Sequence, residues 1–523
     1  MEDSSDVSDS RPPDDDSSGS DGSRLRRLLR GLLGRVGPDD GLAERTLRSG
    51  VWAAVLNVGT RVVGLLTILV LARLLSIPDF GRMTLALLVT MGVYAFTELG
   101  LDEALVSYDE SDVDDYLDTV WTLHMLRGVV LAAVTYAAAP LVGVVFGDPG
   151  VVPLVRVAAA APLLASFQNP AVVYFRKELD FRSRFALLFT GEVVNAAVAV
   201  GIGLAYASPY ALVVGALCRD GVRSLVSYRL HDYRPRPAFD VARAREVVGY
   251  GKWVFGSSAL AFLFGYGDDA VVAWLLGPAA LSVYRLAYRF SNAPTTEVTD
   301  VVGGVTFPAF ARLQSDTPAL RDAYVRTVQL VALLALPAAV GIVLVARPFT
   351  VVAFGERWLD AAPVMAVLAV WGVGRSLART VDPLLRATGR PDLVTKLTAA
   401  KVVLAGVLVV PATDAYGVVG AAAAVAAVAV VDVPVSLRLA SVTLETNVRR
   451  LLRPVLPPAT ACLVMSGVVL GVAWTLPPVS SPVELAVRVL TGAATYVATM
   501  LALEHRFDVG LAALYELGRD AVA

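Results

Sequence analysis

The chain has 523 residues, of which 56% are hydrophobic and 18% charged, and its mean hydropathy is +0.63. A single soluble core stops growing near ~250–300 residues, beyond which chains divide into domains joined by polar linkers. Residues 50–505 contain no such linker, so the sequence excludes a soluble enzyme, a disordered chain and a fibre. The net charge of -2 gives no general pull toward nucleic acid.

Residues 1–23 are dominated by Asp, Ser, Gly and Pro and predict a disordered acidic tail. They lack the apolar core of a signal peptide. In residues 24–49, Leu25, Leu28, Leu29, Leu32, Leu33 and Val36 fall on one helical face, with arginines elsewhere, which predicts a basic amphipathic segment in the membrane interface. Apolar runs then follow one another near 50–75, 83–106, 119–146, 151–175, 185–207, 210–230, 248–276, 279–310, 322–345, 360–385, 393–411, 415–437, 454–475 and 483–503. They predict an all-α polytopic membrane protein with about fourteen transmembrane helices. The eighth run is long, and Pro294, Pro308 and Gly303-Gly304 predict a broken or bent helix there. With both termini in the cytoplasm, external connections hold only Arg82, Arg347 and Arg357, while all other connecting Lys and Arg fall inside. That asymmetry predicts the orientation and a cytoplasmic membrane location. The loop Asp109–Asp118 is the acidic exception, and Asp112-Val-Asp114-Asp115 reads as solvated loop.

The first and seventh runs match at an offset of 201 residues: Gly50, Trp52, Gly64, Val70, Ala72, Leu74 and Leu75 meet Gly251, Trp253, Gly265, Val271, Ala273, Leu275 and Leu276. Six spans separate the copies, so orientation is kept and the repeat is parallel. This predicts two six-helix lobes, residues 50–230 and 248–440, around a central cavity. An interlobe loop spans 231–247, and two additional helices lie in 441–523.

Ionisable groups at bilayer depth face protein or a hydrated cavity. Arginine suits phosphate through its planar bidentate fork, so Arg61, Arg127, Arg219, Arg223, Arg285 and Arg289 are the candidate substrate contacts. Glu98, Glu192, Asp268, Asp269 and Asp300 are candidates for ion coupling or ion pairing. Depth along the helices matches Arg61 with Glu98, and Asp268 with Arg285 or Arg289. Arg127 and the arginines around Asp220 have no such match and are the stronger candidates for an anionic substrate.

Two cysteines, Cys218 and Cys462, and three scattered histidines give no disulfide framework or metal spacing, and no cofactor is indicated. No Gly-rich loop ends in Gly-Lys-Ser/Thr, so the sequence carries no ATP site of that kind. The longest external connection, about 346–359, is too short for a catalytic domain.

Leu71-Ala-Arg-Leu-Leu-Ser-Ile-Pro-Asp-Phe-Gly81, after Gly50-Val-Trp52, resembles the opening of Wzx-type oligosaccharide flippases in the multidrug/oligosaccharidyl-lipid/polysaccharide exporter superfamily. Leu99-Gly-Leu101, Asp268 with Leu275-Leu-Gly277-Pro278, Tyr284-x-x-Ala287, Phe354-Gly355-x-x-Trp358 and Leu385-x-Ala387-x-Gly389-Arg390 are similar to later family motifs in order. Ser282 departs from the glycine usual before the tyrosine turn. The resemblance implies a flippase that moves a polyprenyl-(pyro)phosphate-linked oligosaccharide to the outer leaflet for surface polysaccharide or glycoprotein assembly. It implies glycosyltransferases or a polymerase as pathway partners. A multidrug or cation antiporter of the same superfamily, and a membrane glycosyltransferase or polymerase, are the alternatives.

Overall fold

The computed structural model describes residues 40–97, 100–101, 105, 110–178, 180–475 and 480–507. The expected tail 1–23 and the basic segment as far as residue 39 lie outside them. Every regular element among the described residues is helical. In a bilayer this follows from the backbone, whose polar groups find no water and pair within their own segment.

Helix α1 (Asp40–Leu74) turns sharply into α2 (Ile77–Ala95). The Ser76 hydroxyl caps α2 by accepting the Asp79 amide at 3.3 Å, and Pro78 sits in the first turn, where its missing N–H has no helical partner to lose. Then come α3 (Glu110–Val145), α4 (Val152–Ala158) and α5 (Ala160–Ser166), the last two forming one crossing, then α6 (Phe181–Tyr206) and α7 (Tyr210–Leu230). Residues 231–240 form an irregular stretch before α8 (Val241–Leu313). The rest is α9 (Thr317–Phe354), α10 (Ala361–Arg379), α11 (Val381–Ala387), α12 (Pro391–Thr443), α13 (Leu456–Thr475) and α14 (Ser481–Phe507).

Two of these are hairpins. Inside α8, Gly277 has φ 82° and ψ 176°, a region essentially reserved for glycine. Asp269 and Arg285 are 16 residues apart in sequence yet bonded at 2.8 Å; on a straight helix they would be about 24 Å apart. Inside α12, Gly417 has φ 61°, and Lys401 meets Asp432, 31 residues on, at 3.2 Å. Among the described residues, ten segments are long and apolar enough to cross a bilayer. Counting each hairpin as a pair and adding the more polar α2 and α7 gives the fourteen crossings that the sequence predicts.

The eighth run is not broken. The helix continues through Pro294 and Pro308, and the non-helical residue inside α8 is Gly277. Ser291 and Thr299, flanking Pro294, each donate a hydroxyl to the carbonyl four residues back, at 2.7 and 2.8 Å. Membrane helices tolerate proline where such groups and neighbouring helices compensate. The acidic segment differs too, because Asp112–Asp115 opens α3 rather than forming a loop. Asp114 accepts the Tyr174 hydroxyl at 2.7 Å, and Asp118 accepts the Tyr233 hydroxyl at 2.6 Å and the Arg236 amide at 2.7 Å. Asp118 thus clamps the irregular stretch onto α3, and Asp114 ties Tyr174 to the same helix.

In the first half, α1 and α7 pack on α6, while α5 packs on α3 and α7. In the second half, α8, α9 and α12 pack around α10, and the α13–α14 pair leans on α9. The halves meet where α8 lies along α2. Leu66, Val134, Leu204, Leu225, Val430 and Leu463 are exposed, an apolar outer surface suited to lipid. The turns at 75–76, Gly277, 355–360 and Gly417 share one end of the molecule, called here the Gly277 face. Those at 231–240, 314–316 and 388–390 share the opposite, Tyr233 face.

Candidate functional site

The Gly277 face is sealed. Gly81 of α2 lies so close to the α8 hairpin that a Cβ there would stand 1.9 Å from the Pro278 carbonyl oxygen. Arg73, near the end of α1, donates Nε to the Ala353 carbonyl of α9 at 2.8 Å and an Nη to that of Val352. In return Arg357 and the Trp358 indole donate to the Ala72 carbonyl of α1 at 2.7 and 2.9 Å. The last carbonyls of a helix lack intrahelical partners, so each half supplies cations that cap the other half's helix. Phe80 packs edge-on against Trp358, with ring centroids 5.5 Å apart.

Beneath this seal lies a chamber of about 490 Å³. Arg61, Leu65 and Ile68 line it from α1, at helical spacing. Thr84, Leu88 and Met91 line it from α2. From α8 come Arg285, Arg289, Asn292 and Thr296, spaced as one stripe, together with Tyr266 and Tyr288, and α10 contributes Arg375.

Three of the four arginines, Arg285, Arg289 and Arg375, differ in what they touch. Arg285 donates to the Asp269 carboxylate at 2.8 Å and lies over the rings of Tyr266 and Tyr288, 4.9 and 5.6 Å from their centroids. Asp269 is 1% exposed, so this is a buried pair held by its own hairpin. The neighbouring Asp268 accepts the Tyr284 hydroxyl at 2.5 Å. The expected pairing of Asp268 with Arg285 or Arg289 is therefore corrected to Asp269. Residues 269 and 285 each lie eight positions from Gly277, whereas successive side chains on a helix point to different faces. Depth alone does not separate Asp268 from Asp269; helix face does.

Arg289 makes no ion pair among the described residues. It reaches toward α1, where a Cβ on Gly64 would sit 2.8 Å from its Nη2 and 3.6 Å from the Glu192 carboxylate. Glu192 itself accepts Asn195 Nδ2 at 3.2 Å. Arg375 also has no carboxylate partner among the described residues. It donates weakly to the Tyr288 hydroxyl at 3.4 Å, lies 5.1 Å over the Trp371 ring, and has a buried Nε without a hydrogen bond. The Asn292 Oδ1 is likewise buried and unbonded.

Other predicted contacts lie elsewhere. Arg127 lines a separate hollow of about 240 Å³ with Tyr94, His124 and Asn169, and its Nη2 reaches the Tyr94 carbonyl at 3.3 Å. Arg219 pairs with Asp220 at 2.8 Å, and Arg223 donates to the Leu188 carbonyl at 3.3 Å while packing on Gly191. Arg223 thus ties α7 to α6, the Arg219 pair stays within α7, and neither arginine lines the chamber. Arg127 and the arginines around Asp220, the stronger candidates by sequence, thus lie apart from the chamber, because residue type and depth do not say which way a helix face points. Glu98, with its expected partnership to Arg61, lies outside the described residues, and so does the Asp300 side chain. The sequence-based set omits Arg375, although its spacing from Arg379 and Asp382 marks one helical face. Among the described residues no cluster of three His, Cys, Asp or Glu side chains offers a metal site.

The solved inward-closed structure of the lipid II flippase MurJ superposes with a TM-score of 0.70 at 13% identity, over 87% of this chain and 98% of that one. This likeness is one of fold. The lipopolysaccharide biosynthesis protein WzxC of Escherichia coli is 27% identical over 69% of this chain and 74% of its own length. The teichuronic acid biosynthesis protein TuaB of Bacillus subtilis is 22% identical over 87% of this chain and 95% of its own. A family model described as polysaccharide biosynthesis protein matches residues 70–363, more than half of the sequence and all of the segment that builds the sealed end and most of the chamber. The chain belongs to the polysaccharide biosynthesis protein family.

Proposed function

We propose that this protein is a flippase that carries a polyprenyl-(pyro)phosphate-linked oligosaccharide from the cytoplasmic to the outer leaflet of the cytoplasmic membrane. One observation carries the reading: Arg289 and Arg375 stand in a membrane-embedded chamber with no carboxylate partner among the described residues. Arg289 is exposed to the chamber and Arg375 is half-buried, so both can meet a ligand there, and a phosphate supplies the missing partner through bidentate bonds. The names of the relatives support a saccharide cargo. No covalent bond is made or broken; the lipid tail stays in the bilayer while the charged head and sugars cross through a polar path, which avoids most of the desolvation cost.

In this reading the Tyr233 face is cytoplasmic, in accord with the Lys and Arg asymmetry. The two halves act as lobes that rock about the chamber, and the closed Gly277 face supports an inward-directed state. A cationic drug fits the chamber poorly, because among the described residues Arg285, Arg289 and Arg375 line it and only Arg285 is paired with a carboxylate.

The test is translocation of a fluorescent polyprenyl-pyrophosphate oligosaccharide in proteoliposomes. Arg289→Ala with Arg375→Ala removes two charged donors, each worth about 1.5–3 kcal/mol, and lowers the rate by at least about tenfold. An unchanged rate in a folded double variant overturns the proposal.

A further inference from the structure

Below the chamber, toward the Tyr233 face, lies a second cavity of about 440 Å³. Its walls are Thr299, Gly303, Phe307 and Pro308 of α8 against Arg379, Asp382 and Arg386 of α10 and α11. Both walls continue surfaces already met in the chamber. On α8 the series Asn292, Thr296, Thr299, Gly303, Phe307 steps by four, three, four and four residues, which is one helical face. On the facing wall Arg375, Arg379, Asp382 and Arg386 step by four, three and four. Thr380, between α10 and α11, keeps helical angles (φ −63°, ψ −21°), so the second series is not interrupted. Arg375 and Arg386 are eleven residues apart, about 16 Å along the axis. Arg375 and Arg379 are half-buried and Arg386 is exposed, so the ladder runs from the chamber to the surface.

A narrow bridge divides the two spaces. The Thr299 hydroxyl, donated to the Thr295 carbonyl, lies 3.0 Å from the Ser376 hydroxyl, which donates to the same carbonyl at 3.3 Å. These bonds join α8 to α10 at the level between Arg375 and Arg379.

We propose that the Arg379–Arg386 cleft is a separate docking site for a phosphate-bearing lipid headgroup, occupied before the chamber and linked to it by the arginine series. The proposal rests on the flippase reading and adds a second, earlier site to it. Arg386 makes no ion pair among the described residues and presents its guanidinium at the mouth, while Asp382, between the two arginines, keeps the hold moderate. A transit site needs this balance, because binding must favour entry and still permit departure. The lipid character follows from the mouth, where Phe307, 45% exposed, and Pro308 stand beside the charged wall. A free anion has no use for that apolar edge, whereas the first isoprene units of a polyprenyl chain do.

The experiment uses the full chain in nanodiscs with farnesyl pyrophosphate as the binding probe, and the translocation assay in parallel. Arg379→Gln with Arg386→Gln, leaving Arg289 and Arg375 intact, should weaken probe binding at least fivefold and raise the KM for translocation while sparing kcat. Arg379→Lys with Arg386→Lys should restore most of the binding. The opposite split, a fall in kcat, belongs to Arg289→Gln with Arg375→Gln. Unchanged binding and KM in the glutamine variant overturn the proposal. So does competition by inorganic pyrophosphate or phosphatidylglycerol as effective as that of farnesyl pyrophosphate, since the first denies the lipid and the second denies the headgroup. If the parent chain translocates nothing, the flippase reading fails, and the binding arm still decides the site.

Discussion

Arginines at the Gly277 face and arginines in the chamber are the same residue type put to opposite uses. Arg73 and Arg357 give their donors to the last carbonyls of α9 and α1, groups that every helix end leaves open. Arg289 and Arg375 stand where no helix ends and no described carboxylate reaches them. A guanidinium bonded to backbone acceptors is a fastener, and one facing a cavity is a receptor. The difference lies in what the opposite wall offers, and it assigns the fastener to the part that must open and the receptor to the part that must bind.

The strongest way to break this contrast is to separate the fastened end without touching the chamber. Gly81→Val places atoms where the Pro278 carbonyl already is, and backbone cannot step aside as a side chain can. Overpacking of about 1–3 kcal/mol translates into a sealed-to-open shift of about 5- to 150-fold. The readout is labelling of Thr84→Cys by an impermeant maleimide added from outside, in a background of Cys218→Ser and Cys462→Ser; labelling should rise steeply. No rise means that the contact does not hold the seal.

A milder opening is expected from Arg73→Ala with Arg357→Ala. Both side chains are exposed, so each lost bond is worth about 0.5–1.5 kcal/mol, and the same labelling should rise about three- to tenfold. Probe affinity in the chamber should stay unchanged, since neither residue lines it. A loss of affinity as large as that from Arg289→Ala would erase the distinction between fastener and receptor.

The receptor side is sharpened by Gly64→Ala. The added Cβ meets the end of the Arg289 side chain, which swings away at small cost, so the fold survives while the guanidinium is displaced. A two- to fivefold fall in translocation rate with unchanged thermal stability is expected, on the order of 1 kcal/mol of lost binding. An unaltered rate would show that Arg289 need not hold its observed position.

Much of this architecture is legible in sequence because lipid imposes a simple rule: about twenty apolar residues per crossing. The two hairpins are marked by glycine, since at Gly277 and Gly417 the backbone takes positive φ. The site is less legible. Arg219 and Arg289 are alike in type and setting, yet Asp220 adjoins the first in sequence and captures it, while the second is defined by α1, more than two hundred residues away. Local spacing gives depth and face within one helix. It does not give the rotation of that helix against its neighbours, and this rotation selects Asp269 over Asp268 and sends Arg127 to a different hollow.

The smallest effect is expected at the clamp on residues 231–240, far from both arginine groups. Burial pushes the Tyr233 phenol above its ordinary range, reinforced by its hydrogen bond to the Asp118 carboxylate. Folding therefore favours the protonated phenol. The stabilisation is fully present below the unfolded value of about 10 and is lost as pH rises from there toward the folded value. Tyr233→Phe removes one hydrogen bond worth about 0.5–1.5 kcal/mol, so thermal unfolding at neutral pH should begin slightly earlier than in the parent, with translocation near normal. Above about pH 10 the parent should lose this advantage and the two melting curves should converge. A gap that widens with pH would mean that Tyr233 stabilises the clamp as a phenolate, contrary to the carboxylate it faces.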